Sequence, residues 1–75
     1  MELNDFIAKF ANCLENSEVS DLSSDTEFKL IDTWSSLSAL LIIEMIDEEY
    51  EKRISGVDIR KADTIADLFN IVDSR

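Results

Sequence analysis

The residues with the most chemical promise stand together at Thr33-Trp34-Ser35-Ser36-Leu37, where a stretch rich in acids gives way to an apolar run. Either hydroxyl can accept a hydrogen bond from a free backbone N–H in the first turn of a helix. From helix chemistry alone both serines read first as capping residues, with Ser35 as the cap.

Little else in the chain is equipped for catalysis. It has no histidine, so the commonest general base and metal ligand is missing, and with it a zinc site or a Ser-His-Asp triad. Cys13 is the single cysteine; it can form no internal disulfide, no basic residue adjoins it to stabilise a thiolate, and it reads as a half-buried structural thiol. Gly56 is the single glycine, which rules out a glycine-rich phosphate loop. Carboxylates are abundant enough to pair by chance, and a charged helix face is usually only solvated. Asp47-Glu48-Glu49 also lacks the alternating oxygen ligands and the glycine of a calcium loop. The chain is expected not to be an enzyme on its own.

The elements that must position these residues are helical. Leu3, Phe6, Ile7, Phe10 and Leu14 recur at spacings of three and four, which predicts a first helix over about residues 3–14. From Glu15 to Thr33 no period persists, so a long loop is expected; in so small a domain it needs anchors, and Phe28 and Ile31 are the candidates to pin it to the core. A second helix starts at Ser35 or Ser36 and runs to about Glu51, with Ala39, Ile42, Ile43, Ile46 and Tyr50 as its inward stripe. Gly56 marks a turn after it, and the preceding Lys52-Arg53 pair suits the negative end of its dipole. Val57 to Lys61 is long enough for one short helix. Thr64 with Asp67 three residues on is a capping-box signal for a last helix bearing Ile65, Leu68, Phe69 and Val72. The fold class is therefore all-α: a small bundle of three main helices plus one short one, with a long loop between the first and second.

Seventy-five residues of 45% apolar composition suffice for one ordered domain with a single core. Seventeen acids against seven bases leave a net charge of -10, which repels nucleic acid and anionic membrane, favours a monomer, and steers the protein toward basic surfaces. The acidic start of the chain is unlike a secretion signal, and the longest apolar run, Ala39 to Ile43, is too short to span a bilayer. The expected compartment is the cytoplasm, with no stable membrane insertion.

Trp34-Ser35-Ser36-Leu37-Ser38-Ala39-Leu40, followed by an isoleucine-rich helix ending Ile46-Asp47-Glu48-Glu49-Tyr50, resembles the acyl carrier protein family, whose members carry an Asp-Ser-Leu motif and then a helix ending in acids and an aromatic residue. Ile54, Asp58-Ile59-Arg60-Lys61-Ala62-Asp63 and Thr64-Ile65-Ala66-Asp67-Leu68 extend the likeness over nearly the whole chain. The resemblance implies that Ser36 receives 4'-phosphopantetheine from coenzyme A through a phosphopantetheinyl transferase. The terminal thiol of that arm would carry acyl groups as thioesters for fatty acid or related lipid and polyketide synthesis. It further implies that Leu37, Leu41, Glu44 and Glu48, with Asp47 on their flank, form a docking face for acyl-transferring and synthase enzymes that bear basic patches.

Two departures from the family pattern stand beside the serine. Ser35 replaces the usual aspartate, and Trp34 with Thr33 replaces a glycine-containing turn; as helix caps serine and aspartate are nearly equivalent, so the change bears on which transferase accepts the chain more than on its fold. The unusual motif keeps a specialised carrier open, loaded with an aminoacyl group or serving a secondary pathway. An acidic helical inhibitor or immunity-type protein, acting without any cofactor, fits the same charge and size.

Overall fold

The computed structural model describes residues 2–14, 22–32 and 34–75. Among the described residues four α-helices follow one another: α1 over Leu3–Asn12, α2 over Ser36–Tyr50, α3 over Gly56–Lys61 and α4 over Ile65–Asp73. There is no strand among the described residues. The fold is a small all-α bundle in which α1 packs on α2 and α4, while α3 bridges α2 and α4. No described helix is long and apolar enough to cross a membrane.

Apolar spacing sets each contact. Phe6, Ile7 and Phe10 of α1 are buried with Leu14 just beyond it, since side chains three and four apart share one helix face. They meet Ile42, Met45 and Ile46 of α2, Ile59 of α3, and Ile65, Leu68 and Val72 of α4 in one buried cluster. The inward face of α2 is rotated from the expected stripe. Ser38, Ile42, Met45 and Ile46 are buried, whereas Ala39, Ile43 and Tyr50 lie at its margins, partly covered. Tyr50 is half-exposed because its hydroxyl turns outward to donate to Asp5 Oδ2 at 3.2 Å.

Part of the expected loop, residues 15–21 and 33, lies outside the described residues. The remainder is better ordered than a bare loop: Phe28–Leu30 forms a 3-10 turn with Phe28 fully buried, and Ile31 packs partly against the core. Further back, Thr26 and Ser24 offer backbone carbonyls to Ile65 N at 3.1 Å and Ala66 N at 2.9 Å. The loop thus supplies acceptors for the otherwise orphaned first-turn amides of α4.

Thr64 completes that end, accepting from Asp67 N at 3.1 Å while its own N–H donates to Asp67 Oδ2 at 3.1 Å. Asp63 N donates to the same oxygen at 3.1 Å. These backbone donors hold the Asp67 carboxyl below its usual range. Its contribution to stability is therefore present above the unfolded carboxylate value and is lost as the pH falls through the lowered folded one. Asp67→Asn is expected to be less stable than the parent at neutral pH, with the gap in denaturant midpoint closing as the pH drops below about 4; a gap independent of pH would contradict this.

Gly56 does not make the expected turn. It is the first residue of α3, its φ is not positive, and an added Cβ would meet nothing within 4 Å. The reversal after α2 is made five residues earlier by Glu51, which takes the left-handed conformation at φ 54, ψ 37. An L residue other than glycine pays for that geometry in steric strain, and an acid there also faces the negative helix end. Glu51→Gly is accordingly expected to stabilise the protein by about 1 kcal/mol, read as a rise in thermal midpoint; a fall would refute it. Nor do Lys52 and Arg53 serve the end of α2 as expected. Lys52 Nζ donates to the Asp73 carbonyl at the end of α4 at 3.3 Å, and Arg53 makes only an exposed 4.0 Å pair with Asp47.

Candidate functional site

The start of α2 is held from behind by aromatic packing. Trp34 lies 5.0 Å from Phe28, edge to face, and stacks on Phe10 at 6.3 Å and 7°, while Phe28 meets Phe10 edge-on at 5.3 Å. Offset and edge-on pairs of this kind add to simple burial. Trp34 N also donates to Ile31 O at 2.9 Å. A residue that reads in the sequence as an oddity beside the serines is thus the anchor that fixes where α2 begins.

The next two residues share a side-chain type and differ in what their hydroxyls do. Ser35 is extended at φ -150, ψ 177; its Oγ accepts from Ser38 N at 3.4 Å and its N–H donates to Ser38 Oγ at 3.2 Å. That reciprocal box consumes Ser35 as the cap, with buried Ser38 as the partner. Ser36, the first residue of α2, is exposed. No described residue partners its hydroxyl.

Charge around this helix start is also distinctive. α1, α3 and α4 each carry an acid in the first turn, Asp5, Asp58 and Asp67, but the first turn of α2 has none. The amides of Ser36 and Leu37 have no acceptor among the described residues. The positive end of the α2 dipole is left without a carboxylate. Ser36 also lines a groove of about 420 Å³ bounded by Trp34, Ala39, Gly56, Ile59, Lys29 and Arg60.

Downstream, the residues expected to form a docking face are all exposed: Leu37, Leu41, Glu44, Asp47 and Glu48. Leu40 belongs with them and was not legible as such from the sequence. It is 59% exposed, beside Leu37 at 62% and Leu41 at 39%, so α2 presents a row of leucines above its acids. Three solvent-facing leucines on one helix are a costly surface to leave uncovered.

Cys13 is half-buried and its thiol donates to Lys9 O at 3.4 Å and Leu41 O at 3.9 Å, joining α1 to α2. Burial pushes its pKa up, which suppresses the reactive thiolate. No family model, curated protein or solved structure matches this chain.

Proposed function

We propose that the chain is a carrier: Ser36 holds a 4'-phosphopantetheine arm derived from coenzyme A, and acyl intermediates travel on it between enzymes of fatty acid or related lipid and polyketide synthesis. The observation that supports this best is the division of labour between the two serines. Ser35 is spent on capping, and Ser36 is exposed at a helix start that lacks a first-turn acid. Such a site suits a phosphodiester, whose charge the unpaired amides stabilise. When attached, the arm supplies the terminal thiol on which the acyl group rides as a thioester.

The protein's own residues would do the rest. Ser36 presents the acceptor oxygen: its Oγ would form the new bond to phosphorus as the pyrophosphate P–O bond of coenzyme A breaks and adenosine 3',5'-bisphosphate leaves, with the serine proton passing to the transferring enzyme. The acids of α2 steer basic enzyme surfaces into contact, and Leu37, Leu40 and Leu41 slow their departure by burying apolar area. A monomer in the cytoplasm fits this role. So does a dedicated pathway outside general fatty acid synthesis, because Ser35 and Trp34 alter the surroundings a transferase meets.

The leucine row favours one second reading, an acidic inhibitor that masks a basic enzyme surface with no prosthetic group. Incubation with coenzyme A and a broad-specificity phosphopantetheinyl transferase separates the two. The carrier gains the mass of one phosphopantetheine; an unchanged mass with several transferases favours the inhibitor.

A further inference from the structure

Lys29 and Arg60 are out of place in a chain of net charge -10. One comes from the 3-10 turn of the loop and the other from the last turn of α3, yet both line the groove that contains Ser36. The turn and the helix are tied there, since Lys29 Nζ donates to the Arg60 carbonyl at 2.9 Å. Among the other bases, Lys9 pairs with Asp5 and Glu49, Arg53 with Asp47, and Arg75 with Asp58, while Lys52 donates to the Asp73 carbonyl and Lys61 has no carboxylate partner among the described residues; neither of these two lines the groove. Lys29 and Arg60 pair with no carboxylate among the described residues. An ammonium has three donor hydrogens and a guanidinium five, so the single bond from Lys29 leaves most of their capacity unused among the described residues.

We infer that Lys29 and Arg60 form a phosphate seat beside Ser36, holding the phosphodiester of the arm against the bundle while Trp34 and Ile59 receive the pantetheine chain. Naming the arm as occupant rests on the carrier reading. The preference for an anion rests on charge alone. A groove of about 420 Å³ falls within the range of small-molecule sites, and its walls combine two cations with an indole and an isoleucine, which suits a ligand that is anionic at one end and neutral along its length. Filling the seat would also strengthen the link between loop and α3, because the two cations belong to different elements.

The test uses the unmodified protein, so it does not depend on priming. Soluble 4'-phosphopantetheine is titrated while the emission of Trp34, the only tryptophan, is followed. A short tether gives an effective concentration in the millimolar range, so a dissociation constant of up to about 10 mM is sufficient for the attached arm. The expected result is a saturable change within that range, weakened about tenfold or more in K29Q/R60Q whose circular dichroism is unchanged. Pantetheine without its phosphate and inorganic phosphate alone are each expected to bind at least severalfold more weakly.

No saturable change overturns the seat, as does equal binding by the double variant. Equal binding of phosphate-free pantetheine overturns the role of the cations. Equal binding of inorganic phosphate reduces the groove to a general anion site and overturns its assignment to the arm. Priming is read separately by mass: a primed protein with an unresponsive groove overturns the seat alone, and a responsive groove on a chain that no transferase modifies overturns the carrier reading and, with it, the attached arm as occupant.

Discussion

Phe28→Ala is expected to lower the thermal midpoint by roughly 15–30 °C and to leave a substantial unfolded fraction on mild warming. Phe28 is completely buried and touches Phe10 and Trp34 edge to face, so its removal loses both transfer free energy and packing, about 3–5 kcal/mol. A domain of 75 residues has roughly 4–11 kcal/mol in total at the usual stability per residue. The loss therefore takes a large share of what holds the protein folded. Phe28→Leu, which refills most of the volume, should cost less than half as much. Thermal unfolding followed by far-ultraviolet circular dichroism decides the matter; a shift of only a few degrees in Phe28→Ala would mean that the loop is not pinned at this point.

Ser35→Ala and Ser36→Ala are expected to have opposite consequences although the residues are neighbours. Ser35 accepts from Ser38 N, so losing its oxygen should cost about 1 kcal/mol, or about 4–8 °C in midpoint, while the protein still accepts phosphopantetheine. Ser36 is exposed and its hydroxyl has no described partner, so Ser36→Ala should change stability by less than about 0.5 kcal/mol and abolish acceptance completely. Stability and modification measured on both variants give a crossed pattern. Loss of acceptance in Ser35→Ala with retention in Ser36→Ala would exchange the roles assigned here.

Periodic segments were readable from sequence because burial acts directly on spacing. The stripe Phe6, Ile7, Phe10 on α1 and the Thr64–Asp67 box on α4 are both as the spacing predicts. What escaped was decided by tertiary context. Glycine is the usual residue at a left-handed helix end, so Gly56 was the natural choice for the turn; the bundle instead imposes that conformation on Glu51. On α2 apolar residues occur nearly all round the helix, so periodicity alone could not tell Met45, which is buried, from Leu40, which is not. The 3-10 turn at Phe28 is too short to leave a period in the sequence.

The candidate site was legible in part. Ser35 as cap follows from position at a helix start, whereas only the family resemblance set Ser36 apart from it, and the bond from Ser38 N to Ser35 Oγ needs the folded helix to be seen. Trp34 gave no local sign that it would pack on Phe10, 24 residues earlier by the difference of their numbers. Lys29 and Arg60 lie still farther apart in sequence and meet only because the loop folds back on α3.

Peptide-level mass spectrometry of the wild-type chain, after reaction with coenzyme A and a promiscuous transferase, examines the open acceptor oxygen most directly. One phosphopantetheine per chain, with fragment ions locating it on Ser36, is the predicted outcome. A unit attached to Ser35, or a chain left unmodified by every transferase tried, would contradict it.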